Sequence, residues 1–182
     1  QVPGRAAFAE EAYEAGRDAS GRLGRGCASR APEVLRQTFG VEGFHVLDTT
    51  HPQAIRNLEA AIDLERTLFV SASKSGSTLE TRSHTDYFWE QNGKRGSAFV
   101  AITDPGSELE RLAHERGFRH VFSGEPTIGG RYSALSPFGL VPAALLGIDV
   151  GRLLANAEQM VEACRSDEGN LGYELGMAFG TG

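Results

Sequence analysis

The chain has 182 residues, of which 40% are hydrophobic and 23% are charged, a composition typical of a soluble globular protein. Its formal net charge of −6 at pH 7 and its pI near 5.4 argue against a general nucleic-acid-binding protein, since such proteins are usually basic. The longest mostly apolar stretch, residues 138–150, is too short and too interrupted by proline and glycine to span a bilayer, so we expect no membrane partner.

The chain begins with a segment, residues 1–30, that contains no apolar run suited to a first central strand. From Ala31 onward, short apolar runs alternate with amphipathic stretches. Four apolar runs predict strands that are apolar on both faces, as a central parallel sheet requires: residues 44–49, 67–73, 97–103 and 120–124. Helical spacing, caps or closing glycines predict five helices: residues 51–65, 77–93, 106–117, about 134–147 and 150–165.

Strands and helices that alternate in this way are typical of an α/β sandwich with a central parallel sheet and right-handed crossovers. In such folds, ligands bind at the carboxyl ends of the strands, near the point where the strand order reverses. The stretch SASKSGSTLET, residues 71–81, stands where one predicted strand ends and the next helix begins. We therefore expect a ligand site at this corner.

The corner at residues 71–81 has the features of a phosphate site. The amino end of a helix offers unpaired backbone N–H groups and a partial positive charge. Gly76 allows a close approach of the backbone, and the polar candidates around it are Ser73, Lys74, Ser75, Ser77 and Thr78. The spacing alone is equally consistent with a serine-rich turn that caps the helix, which needs only one of these hydroxyls. It is not a Walker loop, because the glycines and lysine stand in a different order.

A second candidate stretch, residues 124–149, has paired glycines, an arginine and an apolar helix in succession. Gly129 and Gly130 expose backbone next to Arg131, whose guanidinium is suited to stabilise an anionic intermediate or a bound carboxylate. The alternative, which this stretch taken alone favours, is that Arg131 pairs with a surface acid such as Glu125.

Other titratable residues show no pattern of a metal or disulfide site. The five histidines have no ligand spacing, and Cys27 and Cys164 stand far apart, so we expect no metal site and a reducing compartment, by default the cytoplasm. Glu80 stands one turn into the helix after residues 71–81. It either faces a ligand or simply stabilises the amino end of that helix.

Taken together, SASKSGSTLET and GGRYSALSPFGLVPAALLGID resemble the glucose-6-phosphate isomerase family, and are most similar to the form fused behind transaldolase in some bacteria. The resemblance runs from about Ala31 to Gly180, through the first sugar-isomerase (SIS) domain of the family. The loop S-K-[ST]-x-[ST]-T-x-E-T followed by G-G-R-[YF]-S is a specific combination, and it favours the phosphate interpretation. It implies a flavodoxin-like, three-layer αβα sandwich of the SIS type over residues 31–182, with the first strand missing.

The resemblance implies a role for each matching residue. The loop that holds the 6-phosphate of the sugar corresponds to Ser73, Lys74, Ser75 and Thr78. Arg131, with the backbone of Gly130 beside it, corresponds to the arginine that stabilises the enediolate formed when the C2 proton is removed, and Glu80 corresponds to a glutamate close to the substrate. The implied reaction converts glucose 6-phosphate to fructose 6-phosphate by proton transfer between C1 and C2, without a metal or cofactor.

Two departures from the family pattern stand out. The family carries G-[IM]-G-G-S-x-L after its first strand, with the serine on the phosphate, whereas this chain has GRGCASR at residues 24–30. Ala28 stands in place of that serine, and residues 1–30 are expected to be diverged or poorly ordered, with no counterpart of the strand. The family's glutamate base, ring-opening histidine and late lysine belong to a second SIS domain, and no segment here resembles them.

The sequence therefore predicts the sugar-phosphate-binding SIS domain of a glucose-6-phosphate isomerase, present as a truncated or partial chain that is inactive alone. Its expected partners are a hexose 6-phosphate and a second SIS domain, from a longer parent chain or a homo-oligomer partner. The alternative is a non-catalytic module that binds a phosphosugar, or a structural remnant. Arg131 favours the enzyme, since simple binding needs no partner for an enediolate, whereas Ala28 favours the alternative.

Overall fold

The computed structural model describes residues 22–23, 27–166 and 168–181. Its strands are β1 (Arg22–Leu23), β2 (Val46–Leu47), β3 (Phe69–Ala72), β4 (Phe99–Thr103) and β5 (His120–Ser123). They form one five-stranded sheet in the order β2-β1-β3-β4-β5, in which every neighbouring pair is parallel. The four strands predicted from apolar runs are thus confirmed as β2 to β5, each somewhat shorter than the run that predicted it.

Strand β1 corrects the expectation that residues 1–30 contribute no strand. It is only two residues long, but it lies between β2 and β3, with Arg22 opposite both Val46 and Val70. A strand that has a partner on each side is held by backbone hydrogen bonds along both edges, and it needs no apolar run of its own. The hydrophobic pattern of the sequence therefore gave no sign of it.

Seven helices are formed by the described residues: α1 (Cys27–Phe39), α2 (Pro52–Ala61), α3 (Leu79–Gln91), α4 (Glu108–Glu115), α5 (Pro137–Leu145), α6 (Val150–Ala163) and α7 (Leu171–Thr181). The five predicted helices are confirmed as α2 to α6, whereas α1 and α7 were not predicted. Since α1 begins at Cys27, the predicted domain boundary at residue 31 falls inside a helix. None of these helices is long and apolar enough to cross a membrane.

The sheet buries both of its faces under helices, which makes the fold a three-layer αβα sandwich. On one face, Val70 and Ile102 pack against α5, all nine residues of which are buried. On the other face, the ring of Phe69 stacks on Phe88 of α3 and on Phe99 of β4, with centroid distances of 5.2 and 4.8 Å. The fold class expected from the sequence is confirmed, and its topology brings the ends of β3, β4 and β5 to one edge.

Candidate functional site

The candidate site lies at the edge of the sheet where the neighbouring strands β3, β4 and β5 end. Backbone hydrogen bonds join the loops that follow these strands. The N–H of Asp104, after β4, donates to the carbonyl of Lys74, after β3 (3.1 Å), and the N–H of Gly124, after β5, donates to the carbonyl of Thr103 (2.7 Å). Three loops are therefore held together as one surface, as the position of parallel strand ends predicts.

The first of these loops, residues 73–78, is called the serine loop below, and its hydroxyls form two pairs. Ser73 Oγ lies 3.1 Å from Thr78 Oγ1, and Ser75 Oγ lies 2.9 Å from Ser77 Oγ. Each pair has two O–H groups and a single O···O contact, so at least one hydroxyl hydrogen of each pair remains available to a ligand. The loop thus presents hydroxyl donors although its hydroxyls are bonded to one another.

Burial separates the four hydroxyl residues of the serine loop into two kinds. Ser75 and Ser77 are exposed and Thr78 is half-buried, so these three hydroxyls are accessible to a ligand. Ser73 is buried, and its Oγ accepts the backbone N–H of Gly76 at 3.1 Å. Through these contacts, Ser73 fixes the shape of the serine loop.

The amino end of α3, which follows the serine loop, has no side-chain cap. Thr78 is the N-cap residue, with extended backbone, but its side chain makes no hydrogen bond to the helix. By contrast, α2, α4, α5 and α6 are each capped by a side chain, in order His51, Ser107, Ser136 and Asp149. The hydroxyl of Thr78 therefore does not satisfy an N–H group of α3, which is compatible with an anion site at this helix end and does not support the simple capping turn that the spacing had left open.

Gly76 contacts the neighbouring helix α4. Its φ is +70°, and a Cβ at this position would overlap the backbone nitrogen of Leu109 and lie 3.1 Å from that of Glu108. Only glycine allows both this backbone conformation and this contact. The close approach that the structure shows is therefore to the start of α4, and an approach of Gly76 to a ligand stays a prediction.

Lys74 is the cation of the serine loop, and its ammonium is shared among the three loops. Its Nζ donates hydrogen bonds to Asp104 Oδ1 at 3.1 Å and to the carbonyl oxygen of Glu125 at 2.9 Å, and it lies 3.0 Å from Asp104 Oδ2 as an ion pair. It also lies 5.9 Å from the centroid of the Phe138 ring. Sequence reasoning missed Asp104, although its place directly after a predicted strand, next to the end of β3, was a usable signal.

Arg131 lies in a short 3₁₀ turn, Gly130–Leu135, whose N-cap is Gly129. Its side chain is exposed, and its guanidinium makes no hydrogen bond or ion pair with any described residue. The alternative pairing with Glu125 is not formed, because the carboxylate of Glu125 accepts the hydroxyl (2.8 Å) and the N–H (3.1 Å) of Thr127. Arg131 is thus a cation that no acid of the described chain neutralises, and its place in the site stays a prediction.

The three carboxylates near the site, those of Glu80, Asp104 and Glu125, differ in their hydrogen-bond partners and in their suitability as a base. The Thr127 hydroxyl and backbone N–H hold the pKa of Glu125 below its usual range, and Lys74 lowers this pKa further, so Glu125 is a weak base. Asp104 is bonded to Lys74. Glu80 lies in the first turn of α3, as predicted, where its charge is favourable to the helix.

Two further expectations bear on the site. Ala28, aligned with the family's phosphate serine, is the second residue of α1, and its side chain lies outside the described residues. Within the part of the chain that the structure describes, no group of three or more His, Cys, Asp or Glu side chains is placed to hold a metal ion. The polar groups that the structure brings together at this edge of the sheet are the hydroxyls of the serine loop and the ion pair of Lys74 and Asp104.

Comparison with known proteins places the chain in a family. The family model described as phosphoglucose isomerase matches residues 26–172. The chain belongs to the phosphoglucose isomerase family. A relative, the glucose-6-phosphate isomerase of Carboxydothermus hydrogenoformans, is 37% identical over 144 residues, which cover 76% of this chain and 31% of that protein. The resemblance inferred from the two motifs is confirmed, while similarity to the transaldolase-fused form in particular stays a prediction.

Solved structures agree with the family assignment. A hypothetical protein from Thermus thermophilus matches with a TM-score of 0.84 and 31% identity, over 93% of this chain and 42% of that one. A glucose-6-phosphate isomerase from Chlamydia trachomatis D/UW-3/Cx matches with a TM-score of 0.68 and 28% identity, over 79% of this chain and 29% of that one. This chain thus spans less than half of the length of each of these proteins.

Proposed function

We propose that the chain supplies the sugar-phosphate-binding SIS domain of a glucose-6-phosphate isomerase, and that a hexose 6-phosphate binds with its phosphate on the serine loop. The observation that carries this proposal is the uncapped amino end of α3 beside the hydroxyls of the serine loop. A phosphate at this position accepts hydrogen bonds from backbone N–H groups and hydroxyls, and it interacts favourably with the positive end of the helix dipole. Charge-assisted bonds of this kind are about twice as strong as neutral ones.

In this proposal, the serine loop binds the phosphate and Arg131 takes part in the reaction. Ser75, Ser77 and Thr78 donate to the phosphate, Ser73 and Gly76 maintain the loop, and Lys74 provides a cationic donor beside it. Arg131, with the backbone of Gly129 and Gly130, stabilises the anionic enediolate that forms when a base removes the C2 proton. The reaction ends when O1 gains the proton that leaves O2 and C1 gains the proton that the base removed from C2, so that C2 becomes the carbonyl carbon, and this chemistry needs no cofactor.

The base that removes the C2 proton is expected from a second SIS domain, in a longer parent chain or in a partner copy. Glu125 is a poor candidate because its pKa is lowered, and Asp104 is bonded to Lys74. Glu80 lies in the first turn of α3, directly after the serine loop, and we assign it an accessory role next to the substrate. The proposed location of the complete enzyme is the cytoplasm, where hexose phosphates are metabolised.

Titration calorimetry with 6-phosphogluconate tests the proposal. The substitution Thr78→Val keeps the shape of the side chain and removes one donor, so it should weaken binding by roughly 1–2 kcal/mol, which is about 5- to 30-fold. Thr38→Val, on the exposed side of α1, is the matched control and should leave the affinity unchanged. Equal affinities of the wild type and Thr78→Val, or no binding to the wild type, would refute the proposed site.

A further inference from the structure

The ammonium of Lys74 is the point at which the three loops of the site meet. Of its three N–H groups, one donates to the carboxylate of Asp104 and one to the carbonyl of Glu125, so a single donor remains for a ligand. The side chains of Lys74 and Asp104 are only 25% and 18% exposed, which makes this pair more rigid and less screened than a surface ion pair. The geometry of Lys74 is therefore set by the loops after β4 and β5.

The position of the Asp104 carboxylate is fixed by the backbone of Asp104 and by the space next to Gly124. The backbone N–H of Asp104 donates to the carbonyl of Lys74 (3.1 Å), so the two residues are joined by main chain as well as side chain. The space for the carboxylate exists because residue 124 is glycine. A Cβ at Gly124 would overlap Asp104 Oδ1 and would lie 2.9 Å from a ring carbon of Phe138.

We propose that Asp104 is a positioning residue that makes the site select a phosphate carried by a sugar over a free phosphate. This inference rests on the proposed function. Asp104 neutralises Lys74, so the ammonium acts as a directed donor and adds little net positive charge to attract any anion. It also holds Lys74 against the carbonyl of Glu125, and thereby keeps the segment that leads to Arg131 at a fixed place beside the serine loop. A hexose phosphate contacts both the serine loop and the segment from Glu125 to Arg131, whereas inorganic phosphate contacts only the serine loop.

Calorimetry with two ligands separates positioning from simple charge. In Asp104→Asn, the freed ammonium should bind inorganic phosphate about threefold more tightly, while binding of 6-phosphogluconate weakens about fivefold, so selectivity falls by roughly an order of magnitude. Glu108→Gln removes the same charge at the exposed start of α4 without touching Lys74, and it should change both affinities in the same direction. Selectivity in Asp104→Asn that equals that of Glu108→Gln would overturn the proposal.

A measurement without ligand keeps this inference distinct from the proposed function. Hydrogen exchange of the backbone in residues 124–130 should be several-fold faster in Asp104→Asn than in the wild type or in Glu108→Gln, since the tie to Lys74 is lost. Lys74→Met should produce the same increase, and the double variant should add nothing to it. Unchanged exchange in both single variants would overturn the positioning role. Faster exchange in the variants together with no binding of either ligand to the wild type would refute the proposed function and the proposed selectivity. The role of Asp104 in holding Lys74 and residues 124–130 in place would still be supported.

Discussion

The contact between the serine loop and α4 predicts that Gly76→Ala destabilises the protein far more than the same change at Gly93. The two glycines have nearly identical φ angles, +70° and +69°. They differ in their surroundings, because a Cβ at Gly76 would overlap the backbone nitrogen of Leu109, whereas a Cβ at Gly93 would meet nothing within 4 Å. The pair therefore separates backbone strain from steric overlap.

The expected magnitudes follow from these two contributions. Placing a residue with a Cβ in the left-handed region costs about 1–2 kcal/mol, and this is the whole expected effect of Gly93→Ala. Overpacking a close contact adds typically about 1–3 kcal/mol, so Gly76→Ala should cost roughly 2–5 kcal/mol in total. Because the overlap is with backbone, a change of side-chain rotamer is unable to relieve it.

Urea unfolding followed by tryptophan fluorescence measures both variants. Trp89 is the single tryptophan of the chain, and its ring contacts those of Phe99 and Phe118 at 5.6 and 6.0 Å, so its emission reports on the core. The difference between the two free energies of unfolding should be about 1–3 kcal/mol. Equal losses at the two positions would show that the serine loop does not rest on α4, and would refute the reasoning.

Three further predictions concern the core, the arginine and an ion pair. Phe99→Ala should cost about 3–5 kcal/mol in urea unfolding, because Phe99 is fully buried and stacked on Phe69, while Phe179→Ala on exposed α7 should change the free energy of unfolding by less than about 0.5 kcal/mol. Arg131→Ala should leave the free energy of unfolding unchanged but weaken binding of a planar anionic analogue of the enediolate in calorimetry; a stability loss would show that Arg131 has a structural partner. Hydrogen bonds from Arg36 hold the pKa of Glu33 below its ordinary value of 4.5, so the ion pair stabilises the folded state above that pH and this contribution is lost as the pH falls through the lowered pKa. The difference in free energy of unfolding between the wild type and Glu33→Gln should therefore become smaller as the pH is lowered. A difference that stays constant with pH would contradict a stabilising role of this ion pair.

The parts of the fold that the sequence predicted are those with strong hydrophobic patterns. Strands β2 to β5 and helices α2 to α6 each carry an apolar run or an amphipathic face. Helix α7 escaped prediction because glycines at 172, 176 and 180 are poor helix formers and its apolar side chains follow no single face. Strand β1 escaped because pairing on both sides replaces the need for apolar residues.

The sequence predicted only part of the site. It located the groups that are close together in the chain and missed the contacts between residues that are far apart in the chain. The hydroxyls of residues 73–78 and the start of α3 are local in sequence, so the spacing of residues was enough to locate them. The tie from Lys74 to Asp104 and Glu125 joins positions far apart in the chain, and only the order of strands in the sheet brings them together. The packing of Gly76 on α4 is of the same long-range kind.

The central claim is that a sugar phosphate binds between the amino end of α3 and residues 124–131, and backbone amide chemical shifts test it most directly. In a titration of the ¹⁵N-labelled chain with 6-phosphogluconate, we expect the largest changes at Leu79, Glu80 and Thr81 and in residues 129–131, with inorganic phosphate reproducing only the first group. Changes centred instead on the cavity of about 510 Å³ between α1 and α6, lined by Phe39, Ile148 and Arg152 among others, would contradict the claim.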